Sequence, residues 1–303
     1  MTMQQLIPLY CLTGFVGSGK TTVLLRILQQ YQDKKIGVIF TEPDIYLKED
    51  PKIELDHLDN GSVRCVCSEK DLALALNQVS SCELDMIFVE VSGLSDPLSA
   101  KKLLRESEHA SSCEFKGVIC LVDADNFMEQ IQDVEMVRYQ LSHCHLAVIN
   151  KADLVAPELL NVLISQIRRI NPDCEIASCS FGGFSLDLLD HNLLSRSTDE
   201  NEFEDREHRP DSLVLNCAEP LEKEKVVAFL KRFQSETYRI KGFCLLEDGW
   251  NLVDSVGSRL SFAPCPEHNF SRFIFISKIG HALSEPLSDS WNELIGLPMQ
   301  IHD

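Results

Sequence analysis

An α/β fold, a parallel sheet with flanking helices followed by a small α+β C-terminal domain, is what the sequence predicts, on three observations. Short apolar runs alternate with helix-length amphipathic segments over most of the first two-thirds of the chain. A glycine-rich loop joins the first apolar run to the first amphipathic segment. A polar, charged stretch then separates this part from a differently patterned C-terminal part.

The expected strands of the first part are 7–13, 36–41, 86–91, 117–123, 146–150 and 175–179, each a short apolar run. Between them, 21–30, 70–79, 126–139 and 157–170 carry apolar residues at helical spacing. Pro157 suits the first turn of the last helix, where its missing N–H costs nothing. From Ser195 to Arg209 nothing can drive a core, and 191–209 reads as a linker between a domain over 1–190 and one over 210–303. The second domain opens with a strand over 212–218 and a helix over 221–234, followed by several short strands through 274–277.

Lys and Arg number 28 against 47 Asp and Glu, a net charge of −19, so the long-range field repels phosphate backbones and anionic lipid surfaces. No nucleic-acid or membrane partner is expected. No apolar run approaches the length that spans a bilayer, and the start, Met1-Thr2-Met3-Gln4-Gln5, lacks the features of a signal peptide, so the expected compartment is the cytoplasm. Twelve cysteines spread along such a chain read as reduced thiols, and Cys11, Cys120, Cys217 and Cys244 as small buried hydrophobes within strands.

Gly14-Phe15-Val16-Gly17-Ser18-Gly19-Lys20-Thr21-Thr22 fits G-x-x-x-x-G-K-[ST], with the strand before and the helix after that this motif requires. Its glycines let backbone N–H groups converge on phosphate oxygens, and the helix N-terminus adds partial positive charge. Gly14, Gly17, Ser18 and Gly19 are therefore expected to cradle phosphates, Lys20 to reach the β- and γ-phosphates, Thr21 to ligate Mg2+, and Thr22 to complete the nucleotide-binding run. This makes the first domain a P-loop NTPase sheet.

Asn150-Lys151-Ala152-Asp153 follows an apolar strand in the pattern N-K-x-D. The Asp153 carboxylate can accept from both guanine N1–H and N2–H2, a donor pair adenine lacks, so the expected nucleotides are GTP and GDP. A small-molecule kinase sharing the phosphate loop would have no use for this turn. The strand 86–91 ends near Glu90, placed to hold Mg2+ directly or through water, and Gly93 can offer its N–H to the γ-phosphate.

With these elements in order, the chain resembles the CobW-like GTPases, P-loop GTPases that act as metallochaperones and metal-cofactor maturation proteins. Their phosphate loop usually reads G-F-L-G-[AS]-G-K-T-T, and their second motif, E-[TCV]-[ST]-G-[LM]-[AS]-[DN]-P, is similar to Glu90-Val91-Ser92-Gly93-Leu94-Ser95-Asp96-Pro97. Further likeness lies in Gly117-Val118-Ile119-Cys120-Leu121-Val122-Asp123-Ala124, in Asn150-Lys151-Ala152-Asp153-Leu154 and in Tyr238-Arg239-Ile240-Lys241-Gly242-Phe243.

Two places depart from the family. Where N-G-C-x-C-C is usual, the chain has Asn60-Gly61-Ser62-Val63-Arg64-Cys65-Val66-Cys67, which keeps one or two of the thiols according to how the motif is anchored. At Thr41-Glu42-Pro43-Asp44 the family tends to show N-E-[FIP]-G and a longer switch segment. The resemblance implies a GTP-hydrolysing protein of slow turnover with Lys20, Glu42 and Glu90 as candidate catalytic residues, delivering or inserting a metal into a client metalloprotein or cofactor-dependent enzyme.

Cys65 and Cys67 in an extended segment share one face and, with Glu42 or a histidine, could complete a tetrahedral Zn2+ or Co2+ site. The alternative is two cysteines without ligand duty, and Arg64 beside them opposes a bound cation. On that alternative the protein is a nucleotide-dependent client-binding module without metal cargo. His143-Cys144-His145 and Cys265-Pro266-Glu267-His268 read as loop residues rather than metal sites.

Overall fold

The structure is a computed structural model and describes residues 6–41, 54–68, 71–93, 96–98, 101–102, 112–189, 193 and 210–302. The chain divides into two compact units between His208 and Arg209. Most of the expected linker, 191–209, lies outside the described residues.

The first unit is built on an eight-stranded sheet. In chain order its elements are β1 (Ile7–Thr13), α1 (Lys20–Gln30), β2 (Ile36–Thr41), β3 (Asp56–His57), β4 (Val63–Cys67), α2 (Leu72–Ser80), β5 (Met86–Glu90), β6 (Cys113–Asp123), α3 (Phe127–Asp133), α4 (Glu135–Ser142), β7 (Leu146–Asn150), α5 (Pro157–Ile170) and β8 (Glu175–Ser178). The strand order is β3-β4-β2-β5-β1-β6-β7-β8, parallel throughout except for the short β3 against β4. The central strands are apolar runs because helices and loops cover both faces, as a parallel sheet requires. On the α1 side, Val23, Leu24 and Ile27 pack with Tyr10, Leu12, Phe88 and Ile119.

Three expectations are corrected. The helix expected over 126–139 is two, because Val134 adopts an extended conformation (φ −122°, ψ 105°) that buries its β-branched side chain and starts α4 in a new direction. The segment 65–67, expected only as extended, belongs to a full parallel strand over 63–67, with Gly37 opposite Val63 and Thr41 opposite Cys67. β6 begins at Cys113 rather than Gly117, and its first residues pair with Ile7, Pro8 and Leu9.

The second unit is a six-stranded antiparallel sheet in the order β12-β11-β10-β13-β9-β14. It comprises β9 (Ser212–Cys217), α6 (Lys223–Arg232), β10 (Thr237–Leu246), β11 (Gly249–Val256), β12 (Arg259–Pro264), β13 (Ser271–Ser277), α7 (Ser284–Leu294) and β14 (Gln300–His302). Trp291 of α7 meets Phe229 of α6 edge-on at 5.2 Å, and both are fully buried with Phe273 and Phe275. The sequence reading gave no helix to 284–294, although it closes this core. No helix among the described residues is long and apolar enough to cross a membrane.

Candidate nucleotide-binding site

The described residues expected to bind nucleotide lie at or just beyond the carboxyl ends of first-unit strands, where parallel α/β sheets present ligand sites. The loop after β1 carries Gly14, Gly17, Ser18, Gly19, Lys20, Thr21 and Thr22. The first bond of α1 runs from Val23 N–H to Gly19 O, so the N–H groups of Lys20, Thr21 and Thr22 stand outside the helical ladder. No side chain caps them. Gly19 has φ 96°, and a Cβ there would collide with Asn150 Nδ2. Only glycine fits a left-handed backbone pressed against that amide.

Lys20 is buried, and its Nζ donates to Gly14 O at 2.7 Å and Phe15 O at 3.3 Å, which holds the ammonium within the loop. Ser18 Oγ is buried with no hydrogen-bond partner among the described residues. A buried hydroxyl beside helix-end N–H groups outside the ladder and an ammonium is a donor set that fits phosphate oxygens.

The Thr21 hydroxyl donates to Glu90 Oε1 at 3.0 Å, so the two expected Mg2+-binding groups meet. A hydroxyl and a carboxylate in contact suit a hard, oxygen-seeking cation. Gly93 lies against the phosphate loop, and a Cβ on it would come within 2.8 Å of Val16 N. Its carbonyl accepts from Gln140 Nε2 of α4 at 3.0 Å. The Thr41 hydroxyl, at the end of β2, donates to Glu90 O at 2.9 Å and accepts from Ser92 N–H at 3.1 Å. Glu42, the next residue, lies outside the described residues.

The turn after β7 is bolted to the phosphate loop. Asn150 Nδ2 donates to Ser18 O at 2.9 Å, while its Oδ1 accepts from Gly182 N–H at 3.3 Å. Lys151, with φ 60°, sends Nζ to Gly17 O at 2.8 Å and to Asp123 Oδ2 at 2.6 Å. Asp123 is fully buried and Lys151 is 18% exposed, so this ion pair is shielded from water. Asp153 follows with an exposed side chain. It lies near the thiol of Cys179, whose pKa rises to about 11 through burial and then through the Asp153 charge.

Cys65 and Cys67 do share a face, alternating with exposed Arg64 and Val66. The register with Gly37, Ile39 and Thr41 turns both toward α2, for a Cβ at Gly37 would touch Val79 of that helix. They are 3% and 1% exposed. Burial pushes their pKa values up to about 11 and 12, with Cys65 and Asp71 adding to the rise at Cys67. Arg64 points the other way, paired with Asp56 at 2.5 Å, so its charge does not face the thiols. The electrostatic objection to a cation there loses most of its weight.

Elsewhere, His145 is buried, and its Nδ1 accepts from Val118 N–H at 3.0 Å. Burial and then the Lys101 charge lower its pKa to about 4, which keeps it neutral. His143 packs on Tyr139, and His268 stacks on Phe243 with ring centroids 3.6 Å apart. Among the described residues no three His, Cys, Asp or Glu side chains cluster closely enough to hold a metal ion. None of the twelve cysteines is in a disulfide.

Residues 8–178 match the model of the CobW/HypB/UreG nucleotide-binding domain, more than half of the chain. The chain belongs to the CobW/HypB/UreG family. Residues 211–293 match the C-terminal domain of the cobalamin synthesis protein CobW, so both halves have the arrangement of CobW-type members. A zinc-regulated GTPase metalloprotein activator 1 of Schizosaccharomyces pombe is 26% identical over 230 residues, 70% of this chain and 55% of that protein. The zinc chaperone YjiA of Escherichia coli is 27% identical over 248 residues, 75% of this chain and 76% of YjiA. In fold, a crystal structure of Zn(II)-bound YjiA GTPase superposes with a TM-score of 0.50 at 23% identity, covering 96% of this chain and 99% of that one. The match spans only about half of the fungal activator's length.

Sequence reasoning missed the partners that fasten these motifs together: Thr41, Asp123, Gln140 and the turn over 179–183. Thr41 and Asp123 carried a signal as the polar ends of apolar strands, but their partners did not.

Proposed function

We propose that the chain binds GTP and GDP with Mg2+, hydrolyses GTP slowly, and uses nucleotide state to control delivery of Zn2+ or Co2+ to a client metalloprotein. The observation that carries the nucleotide part is the joining of the turn 150–153 to the phosphate loop through Asn150–Ser18 and Lys151–Gly17, with Asp153 exposed at the same turn. One ligand long enough to touch both segments is a nucleotide, and a carboxylate there selects guanine. Lys20 is then the cation facing the phosphates. Thr21 and Glu90 hold Mg2+, which when bound neutralises charge on the β- and γ-oxygens. Gly93 offers its N–H toward the terminal phosphate.

The metal part draws support from relatives named as zinc chaperones and zinc-regulated activators and from Cys65 and Cys67 sharing one face of β4. Register places Cys67 beside Thr41, so the chain leads directly from that pair to Glu42. A second reading, a nucleotide-dependent client-binding module with no metal cargo, is favoured by the burial and raised pKa of the same thiols.

Calorimetric titration with GTP, GDP and ATP tests the base assignment. GTP and GDP bind with Mg2+ and ATP does not compete, while Asp153→Asn moves the preference to xanthine nucleotides, whose ring offers the complementary acceptor. Equal affinity for ATP and GTP would overturn it.

A further inference from the structure

Phe181 is the most exposed large hydrophobic side chain among the described residues, 68% accessible, and its backbone is left-handed, with φ 54°. That conformation is unfavourable for a side chain with a bulky Cβ substituent and persists only where the surroundings fix it. The surroundings do fix it. On one side, Cys179 N–H donates to Ile149 O at 2.8 Å and Ala152 N–H to Cys179 O at 3.1 Å, which ties the turn to the Asn150–Asp153 segment. On the other, Gly183 N–H donates to Ser180 O at 3.0 Å, and Phe184 is buried in the core. Between them, Gly182 N–H donates to Asn150 Oδ1 and its backbone lies on the first turn of α1, where a Cβ would come within 3.3 Å of Thr22 Cγ2. The turn thus bridges the phosphate end and the base end of one site, and its single aromatic ring is presented outward.

Phe181 is not part of the core on the α1 side, so that core keeps its packing without the ring. Its position is explained if it has a flat apolar ligand to cover. On the guanine-nucleotide reading given above, on which this inference rests, we propose that Phe181 stacks on the face of the purine base. Asp153 then chooses the base by its edge, and Phe181 adds affinity through its face. Such stacking is tolerant of base identity, because every base has a π-face, so the two residues divide selectivity and affinity between them.

The test uses the full chain and two variants. Phe181→Gly removes the ring where glycine adopts the same φ without strain, so folding is preserved. It is expected to weaken GDP with Mg2+ by roughly ten- to a hundredfold and to leave the affinity for inorganic tripolyphosphate with Mg2+ unchanged. Phe181→Trp restores GDP binding, and its emission is quenched by GDP but not by tripolyphosphate; the two native tryptophans, Trp250 and Trp291, lie in the second unit and give the wild-type background. Unchanged GDP affinity in Phe181→Gly, or an equal loss of tripolyphosphate, overturns the stacking role and leaves the guanine reading standing. If ATP and GTP bind alike and Phe181→Gly weakens both, the guanine assignment falls and the stacking stands. A wild-type protein that binds no purine nucleotide overturns both.

Discussion

Two parts of the first unit, the phosphate loop with its neighbours and the thiols of β4, differ in how they are held. At the nucleotide end, side-chain bonds tie the phosphate loop to distant segments: Asn150 donates to Ser18 O, Lys151 to Gly17 O, and Thr21 of the loop to Glu90. On the nucleotide reading proposed above, these bonds are made in folding, so a ligand would meet a loop whose ordering entropy has already been spent. At the thiol end, Cys65 and Cys67 face inward beneath α2 and are held protonated by burial. A metal there must remove two protons and gain access. On the proposed reading one end is preorganised for an anion and the other would have to rearrange to receive a cation, which is the property a nucleotide-controlled site needs.

The largest expected effect lies at the preorganised end. Lys20→Ala removes a buried cation that donates to the loop carbonyls of Gly14 and Phe15. Hydrolysis is expected to fall on the order of 10³-fold, and GTP affinity to weaken with it, as single-turnover phosphate release and calorimetry would read. Unchanged turnover would mean that another element holds the phosphates, and the contrast between the ends would collapse.

Asp123→Asn comes next. It keeps the shape of the side chain but strips the negative charge from a fully buried partner of Lys151, while Asn126 Nδ2 still needs an acceptor at 3.0 Å. Breaking a buried pair of this kind costs about 3 kcal/mol of stability, measurable by urea unfolding. Because Lys151 also donates to Gly17 O, nucleotide affinity falls as well. A variant as stable as wild type would show that the Asp123–Lys151 pair adds nothing net to stability.

How much of this was legible depended on whether a feature is local. The phosphate loop and the Asn150–Asp153 turn are contiguous, and their residue types follow from the chemistry of phosphates and guanine. The strands of the parallel sheet were visible as apolar runs because both faces are covered. Thr41, Asp123 and Gln140 were not, because each works through a partner 28 or more residues away in sequence, and no periodicity marks such a pairing. The break at Val134 escaped notice because neither glycine nor proline signals it. The facing of Arg64 away from Cys65 follows from strand alternation, but only once 63–67 is known to be a strand.

The third prediction concerns pH. Binding Zn2+ through Cys65 and Cys67 releases both protons, so apparent affinity should rise about a hundredfold per pH unit around neutrality and continue rising toward the thiol pKa values of about 11 and 12. In the metal-free protein the same shifts act on folding with the opposite trend. The folded state keeps protons that the unfolded chain begins to lose near pH 9, so stability is full below that value and declines as pH rises through 11 to 12. A competition titration with a zinc indicator across pH 6 to 8 reads the first, and thermal unfolding in alkaline buffers the second. A Zn2+ affinity independent of pH would place the metal elsewhere.

The smallest expected effect is the coupling between the ends, and it decides between the two readings of function. Thr41 bonds to Glu90 O and Ser92 N–H on one side and is in register with Cys67 on the other, so one residue touches the segments on which both ligands act. A terminal phosphate that takes the Gly93 N–H, with Mg2+ held by Glu90, would shift the end of β2, and with it the neighbouring end of β4. If thiolates are exposed to metal only in that arrangement, Zn2+ or Co2+ binds more tightly with a GTP analogue than with GDP. Linkage requires the metal to tighten the GTP analogue by the same factor. A coupling of about 1–3 kcal/mol is the usual range. Cys65→Ser with Cys67→Ser should erase it while leaving GDP affinity intact, since neither thiol is among the groups that hold the phosphate loop. Thr41→Val should reduce the coupling without removing the metal site, because it keeps the shape and deletes only the bridging hydroxyl. Equal metal affinity in the GTP-analogue and GDP states would overturn the metallochaperone reading in favour of the metal-free client-binding module, and the buried thiols would then be core residues of an ordinary strand.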